Sequence, residues 1–299
     1  MKKIYLHVGP HKTGSTLLQQ FAKNNKEIMR SHGIFYVHNI RLLPHWDIKK
    51  YIADGFSLLK GDFINFLEKE VVSKKEFGNI LVSYEGFSGA IGKEKNIYPF
   101  SDVILKNISD AASEMGYDLH VIFVIKRQDN FIESMALQNV QSGRLVPYDK
   151  FIASTPCLSS INWLEVLVGL EKIVGRSKLS VMVFEEIKKS AESFITKFFR
   201  IIAEDFKIIS YEPGFQNPSM SGIAYEFSLE AFKYIPDVKS RKELIRFLQQ
   251  KFPASKYGKL TIFSDQERKE IISASSESNK LLFSRYNMDC EIYKEFYTS

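Results

Sequence analysis

Apolar positions fall along this chain in two alternating patterns. Short continuous runs rich in β-branched and aromatic residues recur over 4–8, 34–37, 80–84, 119–125 and 179–184. Runs of that length without a polar alternation predict strands buried on both faces of a parallel sheet. Between them, apolar residues recur at helical spacing over about 15–32, 62–74, 98–115, 130–142, 160–174 and 191–203. Past residue 206 the strand pattern stops, and a loop over 210–219 leads to helical patterns near 223–234, 239–251 and 264–285. Strand alternating with helix predicts an α/β fold with a central parallel sheet of about five strands and a helical C-terminal tail. The chain reads as one domain over 1–299, an α/β core over 1–206 carrying a helical extension over 207–299 that packs on it. The segments 37–61, 85–98 and 143–160 follow neither pattern, and long connections at a sheet edge are where ligands are usually bound.

The first strand leads into the most informative segment. Ile4, Leu6 and Val8 enter a Gly9-Pro10 turn, the cluster Lys12-Thr13-Gly14-Ser15-Thr16 follows, and Leu17, Leu18 and Phe21 begin a helical apolar face. Strand, loop and helix in that order converge backbone N–H groups at a helix N-terminus, where orphan donors and the macrodipole favour an anion. In a nucleoside-triphosphatase loop the lysine follows the second glycine. Here Lys12 precedes Gly14, so the loop is P-loop-like, on a three-layer fold, without being equivalent. The plain alternative is a strand, a turn and a helix cap with a solvated lysine.

Two further strand ends carry chemistry. The buried run 121–125 ends in Lys126 and Arg127 and opens into a helix that contains Ser134; a cation there reaches the crevice at the sheet's carboxyl edge, and a guanidinium suits phosphate bidentately. The run 80–84 delivers Glu85 just before Gly86, on the same edge if the strands are parallel. A carboxylate in a partly desolvated crevice is a candidate general base. His45, in the unpatterned Pro44-His45-Trp46-Asp47, is the rival base, while His7 falls inside a strand and His11 inside the loop.

Lys12-Thr13-Gly14-Ser15-Thr16 after a strand resembles the 5′-phosphosulfate loop of sulfotransferases that use 3′-phosphoadenosine 5′-phosphosulfate (PAPS). The longer form from His7 to Thr16 is similar to the bacterial, carbohydrate-sulfotransferase-like branch. Arg127 with Ser134 resembles the family's 3′-phosphate site. Many members separate that pair by eight residues, whereas Arg127 precedes Ser134 by seven and Lys126 by eight, which leaves the register open. Ser83-Tyr84-Glu85 resembles the strand end of bacterial members. The run 179–184 with Glu185-Glu186-Ile187 and the helix bearing Phe194, Phe198, Phe199 and Ile202 is similar to a late unit of the fold. Asn217-Pro218-Ser219-Met220-Ser221 and the segment 277–286 are similar to tail segments, and Lys256-Tyr257-Gly258-Lys259 to a late basic loop. The resemblance implies sulfuryl transfer from PAPS to a hydroxyl, with an amine second, of a glycan or small-molecule acceptor. Lys12 and Glu85 would be catalytic, Lys12, Thr13, Gly14, Ser15, Thr16, Arg127 and Ser134 would hold the nucleotide, and no metal would be needed.

Composition narrows the alternatives. The net charge of +6 suits an anionic nucleotide or an acidic glycan, but the lysines are scattered among glutamates as on a solvated surface. No recognition motif accompanies them, so nucleic acid is not an expected partner. Cys157 and Cys290 have no metal or disulfide spacing, and no run approaches a membrane span or a signal peptide, which predicts a cytoplasmic protein. The rival functions are an ATP- and magnesium-dependent phosphotransferase, with Glu185 toward the metal, and a non-catalytic nucleotide-binding member of the same family.

Overall fold

All five apolar runs pair edge to edge in one sheet. A computed structural model describes residues 2–74, 76–92, 96–208 and 219–298. Its strands are β1 (Lys2–Gly9), β2 (Ile34–Val37), β3 (Asn79–Ser83), β4 (Tyr117–Ile125) and β5 (Leu179–Val183). They lie in the order β2-β3-β1-β4-β5, and every neighbouring pair is parallel. Helices α1 (Ser15–Asn24) and α2 (Lys26–Ser31) join β1 to β2; α3 (Asn39–Leu42), α4 (Ile48–Ala53) and α5 (Leu59–Glu70) join β2 to β3. Helix α6 (Ser101–Glu114) precedes β4, and α7 (Gln128–Gln141), α8 (Tyr148–Ala153) and α9 (Trp163–Val174) precede β5. After β5 come α10 (Ala191–Arg200), α11 (Gly222–Phe232), α12 (Val238–Lys251), α13 (Ala254–Tyr257), α14 (Asp265–Ala274), α15 (Ser276–Arg285) and α16 (Cys290–Phe296).

The strands lack polar alternation because both faces are covered. Ile4, Leu6 and Val8 of β1 join Phe63, Phe66, Ile104, Ile108 and Val166 of α5, α6 and α9 in the larger core. On the opposite face Tyr5, Leu81, Ile122 and Val124 meet Leu18, Phe21 and Met29 of α1 and α2 and Phe194, Phe198 and Phe199 of α10. Helix, sheet and helix make three layers. The later helices close the carboxyl side: Leu282, Phe283, Ile292 and Tyr297 enter the larger core, while Tyr225, Phe232, Ile245 and Leu248 of α11 and α12 pack on Ala136, Leu137 and Val140 of α7.

The structure departs from the sequence expectation at several points. The helix expected over 15–32 breaks at Asn25, whose amide and side-chain Nδ2 both donate to the Phe21 carbonyl, at 3.0 and 2.9 Å; an Asn side chain competes with the helix for that acceptor. The helix expected over 264–285 breaks at Ser275, where the chain turns from α14 into α15. The unpatterned 37–61 contains α3 and α4, held by Trp46, Tyr51 and Phe56, which bury in sets too short to show a period. Helices α8 and α16 were also outside the expectation. The loop expected at 210–219 lies, apart from Ser219, outside the described residues, as do Asn217 and Pro218. Among the described residues no helix is long and apolar enough to cross a membrane.

Candidate active site

Strand β1 ends between β3 and β4, in the middle of the sheet, and its carboxyl end faces the crevice that such sheets use for ligands. Gly9 has φ 108°, and a Cβ there would meet Ser88 Oγ at 3.3 Å and Glu85 Cα at 3.4 Å. Its bare backbone therefore lets the 3₁₀ turn after β3, Glu85–Ser88, lie against β1. Ser88 Oγ donates to the Val8 carbonyl at 2.6 Å, and the Tyr84 amide donates to that of His7 at 3.1 Å. Glu85 is thus fixed beside the loop.

The loop itself is closed by buried Thr13, whose Oγ1 donates to the Pro10 carbonyl at 2.7 Å. Lys12 sits at φ 65°, a left-handed conformation uncommon for a residue with a Cβ. Gly14 caps α1 at φ 83°; its carbonyl accepts from the amides of Leu17 and Leu18 at 3.0 and 3.3 Å, and a Cβ would press on Phe184 at 3.3 Å. Among the described residues, the amides of Lys12, Gly14, Ser15 and Thr16 have no backbone acceptor at bonding distance. These are the free donors of a helix N-terminus, and Lys12 stands among them.

Glu85 is the charge around which the crevice is organised. Its Oε1 accepts from the hydroxyl of buried Ser15, which joins the strand end to the first residue of α1. Burial lowers the pKa of the Lys12 ammonium although solvent reaches the residue, and Glu85 opposes that shift. His7 is buried, with Nδ1 2.8 Å from Ser83 Oγ and, among the described residues, no partner for Nε2. Burial pushes its pKa down to about 4 against the pull of Glu85, so it is neutral at physiological pH. His11 stands 3.4 Å from the Tyr98 hydroxyl, and burial lowers its pKa too, with Glu85 opposing and Lys12 assisting. His45 packs its ring against Phe66 at 6.1 Å between centroids.

Of the two cations at the end of β4, the structure brings Lys126 to Ser134, not Arg127. Lys126 is 8% exposed; its Nζ donates to Ser134 Oγ at 3.1 Å and to the Lys12 carbonyl at 3.2 Å, and lies 4.6 Å from the Phe184 ring centroid. Burial lowers its pKa to about 8, with Glu185 and Glu133 opposing and Lys259 and Lys12 assisting. Arg127 is the N-cap of α7 and turns back on that helix's first turn: its Nε and Nη2 each donate at 2.7 Å to the carboxylate of Asp129, which is fully buried. Asp129 also accepts from Arg268 at 2.8 Å, and Arg268 donates to buried Glu133 at 2.7 Å, with Lys259 3.7 Å away. Burial alone would raise the Asp129 pKa, but the bonds from Arg127 and Arg268 win and lower it. The Arg127 guanidinium is therefore committed to Asp129 and, at 3.5 Å, to the Phe296 carbonyl, while Arg268 ties α7 to α14. Fully buried Glu185 accepts from the Arg127 amide and the Tyr297 hydroxyl, both at 3.1 Å, which commits it to joining β5, α7 and the C-terminal segment.

No protein-family model matches this chain, and no curated protein matches its sequence. Among solved structures it is similar to the crystal structure of a sulfotransferase from Alicyclobacillus acidocaldarius, at 12% identity and a TM-score of 0.46, over 82% of this chain and 96% of that one.

Lys12, Thr13, Gly14, Ser15, Thr16, Glu85 and Ser134 gather at one edge of the sheet, and Arg127 lies beside them with its guanidinium engaged elsewhere. Lys126 carries the eight-residue separation from Ser134 that marks the pair in the sequence, and Arg127 falls one residue short of it. Tyr36 was missed. Among the described residues its buried hydroxyl has no side-chain partner, and burial, with Glu85 adding to it and the Asn39 backbone opposing, raises its pKa. A tyrosine in a four-residue edge strand carries no signal of that kind.

Proposed function

We propose that this chain transfers a sulfuryl group from PAPS to a hydroxyl of a glycan or small-molecule acceptor. The observation that carries the reading is the double contact of Lys126. One ammonium touches both the Lys12 carbonyl and the Ser134 hydroxyl. The loop whose amides suit the 5′-phosphosulfate therefore shares a wall with a cation and hydroxyl that suit a second phosphate. A nucleotide phosphorylated at both 3′ and 5′ positions matches that pair of anion sites, whereas ADP occupies only the loop.

In this reading the acceptor oxygen attacks sulfur as the bond from sulfur to the 5′-phosphate oxygen breaks. The electron pair leaves on that phosphate oxygen, stabilised by the free amides of Gly14, Ser15 and Thr16 and by Lys12, and Glu85 takes the acceptor's proton. Donors fixed before reaction are effective because no reorganisation is needed as charge develops. Lys126 and Ser134 replace the expected pairing of Arg127 with Ser134 at the 3′-phosphate, since the Arg127 guanidinium is already paired with Asp129. Calorimetric titration with the 3′,5′-bisphosphate product, PAP, against ADP tests the proposal. PAP is expected to bind at least ~10-fold tighter, about the worth of one charge-assisted hydrogen bond. Equal affinities would remove the 3′-phosphate site and the reading with it.

A further inference from the structure

Outside the loop, a groove of about 620 Å³ runs around the sheet's edge strand β2, between the α1–α2 pair and the end of the α5–β3 connection, within the range of ligand sites. Lys23, Lys26, Arg30, Arg41 and Lys74 line it, against Glu27 and Glu76. The lysines that looked scattered along the sequence converge here because α1, α2, β2 and the end of the α5–β3 connection meet at this edge. Arg41 is paired with Glu70 at 3.3 Å and Arg30 with Glu76 at 4.0 Å. Among the described residues, Lys23 and Lys26 have no carboxylate at ion-pair distance. Phe35 and Phe77 form the wall on the other face of the edge strand from Tyr36, with the Lys74 ammonium 5.5 Å from the first ring and the Arg30 guanidinium 5.9 Å from the second. His38 reports the resulting field: after burial, the charges of Lys23, Arg41 and Lys26 each lower its pKa.

The groove's strand, β2, neighbours β3, the strand that delivers Glu85. Tyr36 lines the groove with its hydroxyl buried, without a side-chain partner among the described residues and within the field of Glu85. Val37 is in register with Val82, so the upper end of the groove stands level with Ser83, two residues before Glu85 on the neighbouring strand. One strand spacing and two residues of rise make that roughly 8 Å.

We propose that this groove is the acceptor subsite and takes an acidic oligosaccharide, its anionic groups on Lys23 and Lys26, a sugar face on half-buried Phe35, and its acceptor hydroxyl carried past Tyr36 to Glu85. The assignment rests on the sulfuryl-transfer reading for the reaction but not for the binding. A sugar chain fits the combination of cations and an aromatic face and supplies the hydroxyl. An acidic peptide adding to the sheet edge would find only a four-residue strand to pair with.

The test is calorimetric titration of the full chain, with and without saturating PAP, using tetragalacturonate, neutral maltotetraose and tetraglutamate, repeated on the double variant Lys23→Glu, Lys26→Glu. Both lysines are exposed, so the fold should tolerate the change, and unchanged PAP affinity checks that it does. Tetragalacturonate is expected to bind at least tenfold tighter than maltotetraose, and the double variant to lose on the order of tenfold for it alone. Equal binding of the acidic and neutral sugars, no binding of either, preference for tetraglutamate, or indifference to the double variant each overturns the proposal. Failure of PAP to bind while tetragalacturonate binds as expected would refute the donor reading and leave the groove standing.

Discussion

Replacing Lys126 by methionine keeps an unbranched side chain over Phe184 and removes the ammonium, with consequences of opposite sign for stability and binding. In the free protein the buried charge is a cost. Its pKa falls from 10.5 to about 8, chiefly through burial, and a gap of that size corresponds to ~3 kcal/mol against the charged form. Because the folded value lies below the unfolded one, the cost is complete below pH 8 and fades as pH rises from about 8 toward 10.5. Two hydrogen bonds, to the Lys12 carbonyl and Ser134 Oγ, offset it by ~1 kcal/mol each. The free variant should therefore be more stable by ~1 kcal/mol near pH 7, about 2 °C in Tm for a chain of this length. Binding reverses the sign, since a lost charge-assisted hydrogen bond to phosphate costs ~1.5–3 kcal/mol, or ~10- to ~150-fold in Kd for PAP. Thermal unfolding and calorimetry on the same preparations at pH 7 and pH 9 read both effects. Wild-type affinity for PAP should itself fall between those pH values as free Lys126 loses its proton, and that part of the pH dependence should vanish in the variant. Undiminished PAP affinity, or a Tm several degrees lower, would refute the reasoning, because the lysine would then be a structural cation.

Three other substitutions separate the roles. Glu85→Gln should lower turnover with radiolabelled PAPS by ~10²- to 10⁴-fold, the usual worth of a general base, and leave PAP affinity unchanged; turnover near wild type would move the proton to another group. Lys12→Ala should cost ~10²- to 10³-fold in turnover, as for loss of one preorganised donor, measured in the same assay. Arg127→Ala should leave buried Asp129 with Arg268 alone and destabilise the protein by ~3 kcal/mol in urea unfolding, with less effect on PAP affinity than Lys126→Met. The opposite order would return Arg127 to the 3′-phosphate.

The layer architecture was legible because burial on both faces leaves a mark in the sequence: β1, β4 and β5 carry nearly continuous apolar runs with no regular polar alternation, and they pair side by side in the sheet. The loop was legible for a local reason, since Gly9, Gly14 and the Ser/Thr cluster serve backbone geometry that few other residues can adopt. What depends on tertiary packing was not. Whether Lys126 or Arg127 faces the crevice is decided by Arg127 becoming the N-cap of α7 and finding Asp129 two residues on, and by Arg268, more than a hundred residues away, completing that pair. The basic groove was hidden likewise, because Lys23 and Lys26 become neighbours of Arg41 and Lys74 only once β2 takes the edge of the sheet. Breaks at Asn25 and Ser275 interrupt helices whose apolar spacing continues across them.

A crystal structure with PAP bound would decide the matter. The 5′-phosphate is expected on the amides of Gly14, Ser15 and Thr16 beside Lys12, and the 3′-phosphate within hydrogen-bonding distance of Lys126 Nζ and Ser134 Oγ. A nucleotide seated away from the β1–α1 loop, or one whose 3′-phosphate leaves Lys126 and Ser134 untouched, would contradict the assignment.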